Sequence, residues 1–329
     1  MNDAKRTFAL NDPWLRALLP LALVLLLGAI FNGGGAFFEW QTHRALLREI
    51  AVHGILACGL TLVIIAGGID LAVGSVLALS AVTFSSLTMH HGLSSGAALG
   101  CALAVGVSSG IVSGALVAWA RIQPFIVTLA MMVFARGLAK QLSGGEKVSH
   151  YFATDSGAFV NVDPPALFAL IDRKVLGGNV SVVTLIFIAC AVLTYLVLAK
   201  LRIGRYLYAI GGNWEAARLA GVPVRATALF AYAVSGLFAA LAGVCQAAQE
   251  TQGDPETGMG YELDAIAMVV LGGTSLAGGR GGLGFTLIGA LTLGYLQKVL
   301  SLNAYSTELR LMLTGAILIG AVLLQRRRR

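Results

Sequence analysis

The stretch IAVHGILACGLTLVIIAGGIDLAVGSVLALSAV, residues 50–82, carries a single formal charge, Asp70. Apolar runs on both sides of a Gly-Gly-Ile-Asp interruption read as two successive membrane helices, because about 20 apolar residues cover the hydrocarbon core. Backbone N–H and C=O groups in lipid must be satisfied within their own segment, so the runs are helical. The pattern repeats along the chain. Apolar segments fall at about 17–30, 46–66, 72–89, 97–119, 125–142, 181–199, 227–248, 263–279, 283–298 and 308–325. The expected architecture is all-α: a single transmembrane domain over 1–329 with about ten transmembrane helices. The shorter, Gly-rich runs read as broken or tilted spans.

Composition excludes the main alternatives. The 329 residues are 57% hydrophobic and 12% charged, with a mean hydropathy of +0.82. Soluble domains carry about 25% charge, so neither a soluble globular enzyme nor a disordered chain is compatible. The 41 glycines suit close helix packing in lipid. The N-terminal segment 1–16 is polar and basic, like the start of a signal peptide. The FNGGGAFFEW sequence after the first apolar run has no clear small-x-small cleavage site, so that run reads as an uncleaved span.

The net charge of +7 is not a nucleic-acid signal, because the basic residues sit in short clusters between apolar runs. Of 23 Lys and Arg, 14 fall on the side of the termini: Lys5, Arg6, Arg16, Arg121, Lys200, Arg202, Arg205, Arg218, Arg225, Arg280 and Arg326 to Arg329. Of 16 acids, 12 fall opposite. The positive-inside rule then places both termini and a loop at 200–226 in the cytoplasm, and a connection at 143–180 outside. That external connection reads as ordered by its Pro and Gly turns, if at all. Arg326 to Arg329 read as an anchor facing anionic membrane lipid. Cys58, Cys101, Cys190 and Cys245 each stand alone in an apolar run, and the His90-His91 pair has no ligand cluster around it. No metal and no cofactor are expected.

The cytoplasmic loop reads LRIGRYLYAIGGNWEAARLAGVPVRA, residues 201–226. Asn213 is an N-cap, Glu215 suits the first-turn dipole, Gly221 ends the helix and Pro223 prevents continuation. These signals predict a short helix from Trp214 to Ala220. A helix of that length is marginal in water and needs a docking surface. Ala216, Ala217, Ala220 and Gly221 are expected on one face that admits a close partner, with Glu215 and Arg218 pairing or meeting that partner. A helix lying on the membrane would carry several large apolar residues; this one has only Trp214 and Leu219.

GGNWEAARLAGVPV (211–224) resembles the cytoplasmic coupling motif of permease subunits from ABC sugar importers of the ribose, galactose and xylose type. TLVIIAGGIDLAVGSVLAL (61–79), RIQPFIVTLAMMVFARG (121–137) and ELDAIAMVVLGGTSLAGGRGGLGFTLIGA (262–290) are similar to the same family in the same order. The resemblance covers about residues 45–325. One departure is Ala72, where relatives commonly carry Ser. The resemblance implies a permease of the bacterial inner membrane that pairs with a second permease subunit, identical or homologous. It also implies an ABC ATPase subunit beneath and a periplasmic sugar-binding protein that delivers substrate. The residues agree on one point: no G-x-x-x-x-G-K-[ST] sequence occurs, so this chain has no P-loop and is expected to be a transport subunit, not an enzyme.

Asp70 is expected near the cytoplasmic end of its span, as a helix cap or packing anchor, a pathway contact, or a proton relay. Gly67, Gly68 and Gly74 allow the backbone to bend there. Gly272 and Gly273, in a GGTS sequence similar to GGID, join them as pathway or packing candidates, although no internal repeat follows from the likeness. Gln123-Pro124 sets a bend into the fifth span, and Gln123 can face a cytoplasmic partner. Gly279 to Gly284 formally match GxGxxG but read as a sharp turn with Arg280 at the cytoplasmic face. Glu250, Asp254, Glu256, Glu262 and Asp264 read as a solvated acidic loop or as part of an external docking surface. The alternative class is an ion-gradient-driven secondary transporter, for which Asp70 is nearly the only buried charge. A membrane enzyme is excluded, since no Ser-His-Asp, HExxH or paired-carboxylate arrangement occurs within the spans.

Overall fold

A computed structural model describes residues 12–153 and 158–306, together with 308–309, 312–313 and 315–316. Residues 1–11, most of the tenth expected span at 308–325, and Arg326 to Arg329 lie outside the described residues. The helices are α1 (Pro13–Ile30), α2 (Trp40–Ile65), α3 (Val73–Ser85), α4 (Ser95–Ala118), α5 (Pro124–Ser143), α6 (Ala166–Asp172), α7 (Val182–Ala199), α8 (Arg202–Gly212), α9 (Trp214–Leu219), α10 (Val224–Glu250), α11 (Tyr261–Leu271) and α12 (Leu283–Leu302). A π-helical turn, Ser86–His90, extends α3. Among the described residues, 8 helices are long and apolar enough to cross a membrane. The run expected at 263–279 differs: α11 has 11 residues, about 16 Å, and the chain then turns sharply instead of completing a span.

Helix starts follow the sequence. Asp12 caps α1 by accepting from Trp14 N at 2.9 Å, and Pro13 occupies its first position. Ser94 caps α4 and Ser181 caps α7 in the same way. The connection at 143–180 is more ordered than its turn residues suggest. It holds two small antiparallel hairpins, β1 (Tyr151–Ala153) with β2 (Phe159–Asn161) and β3 (Lys174–Val175) with β4 (Val180–Ser181). Between them α6 buries Phe168 and Ile171 in the core, while Arg48 of α2 pairs with Asp172. The sequence reading missed this because the anchoring partners lie more than 100 residues away.

The centre of the bundle is α2, α3 and α10. In α2, 83% of the most apolar window is buried inside the protein, against 17% in α1 and 28% in α5. Outer helices turn Leu, Phe and Val outward, as lipid-facing surfaces do. Inside, the contacts are backbone on backbone. A Cβ on Gly106 or Gly110 of α4 would collide with the Gly236 or Tyr232 carbonyl of α10, and one on Gly243 with the Leu77 carbonyl of α3. In lipid no solvent-driven force squeezes helices together, so small residues that permit close approach carry the packing. Gly106→Val is therefore expected to push α4 away from α10 and cost about 1–3 kcal/mol or more. Gly100→Val on the same helix faces open space. A lowered thermal midpoint in detergent for the first variant and an unchanged one for the second is the expected result.

Candidate functional site

The helix α9 forms where its caps place it. Asn213 Oδ1 accepts from Ala216 N at 2.9 Å, Glu215 pairs with Arg218 at 2.8 Å, and Gly221 takes φ +81°. The helix ends at Leu219, with Ala220 as its C-cap. One expectation is corrected: Ala217 is not part of a face open to a partner. It is 5% exposed and packs on Ala118, Ile210, Val224 and Ala228. At 3.6 residues per turn, burying Ala217 turns Glu215, Ala216, Arg218 and Leu219 away from the bundle, and Ala220 and Gly221, past the end of the helix, are exposed as well. Leu219, 79% exposed, is the large apolar group that the outer face offers.

Immediately before α9, three chain segments meet through glycine. The Gly279 N–H donates to the Ile65 carbonyl at 2.9 Å, joining the break between α11 and α12 to the end of α2. A Cβ on Gly211, near the end of α8, would fall on that same carbonyl and on Gly279 N. One on Gly278 would strike Gly67 and the Gly211 carbonyl. Gly67 and Gly278 also take φ +83° and +82°, values that suit glycine. The Tyr208 hydroxyl of α8 donates to the Gly281 carbonyl at 3.0 Å, and burial pushes that phenol above the ordinary tyrosine range. The turn at 275–280 is closed by Ser275 N on the Arg280 carbonyl at 3.0 Å, so Arg280 holds it through its backbone. Gly272 brings the start of the break against the Phe285 carbonyl, and Gly273 takes φ +114°.

Asp70 lies deeper than expected. Its Oδ2 accepts from the Ser235 hydroxyl at 2.7 Å, and Ser235 is eleven residues into α10, about 16 Å from the start of that helix. The correction has a simple cause. Residues 68–72 have no regular structure and lie largely buried, so α3 starts inside the bundle rather than at its surface. The other carboxyl oxygen accepts from Ala72 N at 3.0 Å, a local turn just ahead of α3, whose N-cap residue Ala72 has no side-chain capping bond. Gly68 leaves room for the Tyr232 hydroxyl, and Gly74 leaves room for the Gly258 carbonyl. Gln123 is exposed; its carbonyl opens α5, and its side chain makes no capping bond.

The acids from Glu250 to Asp264 are not a free solvated loop. Segment 251–260 folds back into the bundle, with Gly253 and Val148 exchanging backbone bonds of 2.8 Å. Lys140 pairs with Glu256 at 2.6 Å and Lys147 with Asp254 at 3.0 Å; that hydrogen bond and charge hold the Lys147 ammonium above the usual lysine range. Arg136 donates to the Pro255 and Thr257 carbonyls. Cys58, Cys190 and Cys245 are buried, while Cys101 is exposed. Among the described residues no group of three His, Cys, Asp or Glu could hold a metal. A cavity of about 550 Å³ lies between α1, α7, α8 and α12 and is lined by Trp14, Phe187, Tyr195, Tyr208 and Phe285. It is almost wholly apolar and faces outward, so it suits lipid and not a polar solute.

A bundle of apolar helices with broken spans inside it and a capped helix presented at one face defines a multi-pass membrane permease. The chain belongs to the family described as branched-chain amino acid transport system / permease component, which matches residues 42–322. It is 37% identical over 308 residues to the ribose import permease protein RbsC of Escherichia coli (strain K12), covering 94% of this chain and 92% of that one. It is 35% identical to the ribose import permease protein RbsC of Bacillus subtilis (strain 168), covering 95% and 93%. The L-arabinose transport system permease protein AraH of E. coli (strain K12) is 34% identical, covering 98% and 94%. No solved structure matches the chain.

Asp70→Ala removes two buried hydrogen bonds, one from the Ala72 N–H and one from the Ser235 hydroxyl, together about 1–3 kcal/mol. A loss of that size is expected in denaturant unfolding of the purified protein, and Ser235→Ala should cost the second part alone. Equal stability of Asp70→Ala and the parent would remove the anchor role.

Proposed function

We propose that this chain is the membrane-spanning subunit of an ATP-driven, binding-protein-dependent monosaccharide importer of the bacterial inner membrane, forming the pathway by alternating access. The observation that carries this reading is 37% identity to a ribose import permease over 94% of the chain. The family description mentions branched-chain amino acids, but relatives aligned over nearly the whole chain are named for ribose, fructose and L-arabinose. Absence of a P-loop sequence puts ATP on another polypeptide, an ABC ATPase subunit. A periplasmic sugar-binding protein and a second permease chain complete the assembly, with no nucleic acid and no cofactor involved.

The ATPase contact is the outer face of α9: Glu215, Ala216, Arg218, Leu219, Ala220 and Gly221, with Trp214 beside them, Asn213 as cap and Ala217 as the internal anchor. ATP-driven closure of the ATPase pair moves α9 and, with it, α8. Through Gly211 that motion reaches both helix breaks, 66–72 and 272–282, because there is no side chain between the backbones to absorb it. Gly67, Gly68, Asp70, Gly74, Gly272 and Gly273 belong to those breaks or border them, and act as hinge and packing positions. Gln123 borders the same cytoplasmic face. The ion-gradient alternative finds no support in the relatives, and Asp70, its best relay, has both carboxylate oxygens engaged.

Leu219→Asp is expected to leave the membrane-inserted protein folded while reducing co-purification with the ATPase about tenfold, as loss of a central apolar contact does. In proteoliposomes, uptake of labelled D-ribose, D-fructose or L-arabinose should require ATP, the ATPase and the binding protein together. Uptake by this chain alone, driven by a proton or sodium gradient, would refute the reading.

A further inference from the structure

A polar and aromatic cluster lies inside the outer half of the bundle, away from the coupling helix and from Asp70. The half-helix α11 starts within the protein, not at its surface. Its first turn brings Tyr261 against His53 of α2, with ring centroids 4.1 Å apart, and Asp264 Oδ2 to 3.7 Å from His53 Nε2. Gln297 of α12 hydrogen-bonds Asp264. From α10, Gln246 donates to Glu250 at 2.6 Å, and the charge of Glu250 reaches Tyr261. Gln249 of the same helix has a buried Nε2 that is without a hydrogen-bond partner among the described residues. Four helices thus converge polar groups on one place.

Its depth follows from α2. Arg48 pairs with Asp172 of the external connection, and His53 is five residues further in, about 7.5 Å. The cluster is therefore below the outer surface yet reachable from it. The Asp264 side chain is 27% exposed and that of His53 19%, and Leu263 between Glu262 and Asp264 is 58% exposed. Ionisable groups at such depth are costly against lipid, and they persist where a wet cavity or a polar solute meets them.

We propose that Tyr261, His53, Asp264 and Gln297, with Glu250 beside Tyr261, form the site that accepts the released monosaccharide before it crosses. The assignment rests on the reading of this chain as a sugar permease. The chemistry fits an uncharged polyol. Carboxylates accept from sugar hydroxyls, the glutamine amides both donate and accept, and an aromatic face packs against the apolar C–H face of a sugar ring. It does not fit an amino acid, whose carboxylate needs a cation. The basic side chains on neighbouring helices are engaged: Arg136 with two backbone carbonyls, and Lys298 with Glu49 at 2.8 Å. The same groups are shared among several weak bonds, so they select a hydroxylated solute without retaining it.

The test uses the complete importer, permease with ATPase and binding protein, in proteoliposomes. Asp264→Asn and Tyr261→Ala should each lower D-ribose or L-arabinose transported per ATP hydrolysed by about tenfold, the equivalent of one lost charged hydrogen bond. Co-purification of the ATPase should stay unchanged. A second measurement does not depend on those variants folding well. In a Cys101→Ser background, Leu263→Cys should react with a membrane-impermeant thiol reagent, and millimolar transported sugar should slow that reaction while L-leucine should not. Wild-type uptake of L-leucine and none of the sugars would overturn the substrate class and this site with it. Sugar uptake at the parent yield per ATP in both variants, or labelling indifferent to sugar, would overturn the site alone.

Discussion

A polypeptide inside a bilayer has no water to satisfy its backbone, and two stretches of this chain leave helical pairing at membrane depth. The breaks at 66–72 and 272–282 persist because they satisfy each other. The Gly279 N–H bonds the orphan carbonyl of Ile65 at the end of α2, and Asp70 accepts from the Ala72 N–H just ahead of α3. Non-helical backbone is tolerated in a membrane only where protein surrounds it. Everything that distinguishes this molecule from a plain helical bundle is arranged around that mutual support: the third glycine at 211, the amphipathic α8, and the capped helix that follows it.

The same arrangement connects the face that carries α9 to the interior backbone to backbone. Where side chains separate two helices, a small displacement is absorbed by rotamer changes. Where Gly67, Gly211 and Gly278 touch backbone to backbone, there is nothing soft between them. A two-state element needs rigid contacts of this kind to carry a bias from one end to the other. At the opposite face the contacts are electrostatic. Arg136, Lys140 and Lys147 on or beyond α5 hold the re-entrant 251–260 segment by its carbonyls and by Asp254 and Glu256. That segment in turn delivers α11 to its internal starting point, where Tyr261 and Asp264 meet His53.

Much of this was legible from the residues alone. Apolar run length located the helices, since the bilayer thickness fixes how many residues must be apolar. Asn213, Glu215, Gly221 and Pro223 located α9 to within a residue, because caps are local chemistry. What was not legible depended on partners far along the chain. Ala217 shares a small-residue face with Ala216 and Ala220, and nothing local says that α4 and α10 claim it. The acids after Glu250 look solvated in a linear reading, because their cations are supplied by α5 and the residues beyond it, more than 100 positions earlier. His53, a single histidine in a long apolar run, gave no signal until α11 was placed beside it.

The sequence by itself determined that the chain spans a membrane several times, roughly where most of its helices run, and which family it resembles. Each of these is set by composition or by contacts within a few residues. Tertiary structure decided the depth of Asp70, the truncation of the 263–279 run to the half-helix α11, and the meeting of the two glycine breaks. Those depend on where the backbone turns back, and a turn of one residue at Gly67 carries every following side chain to a different level of the bilayer.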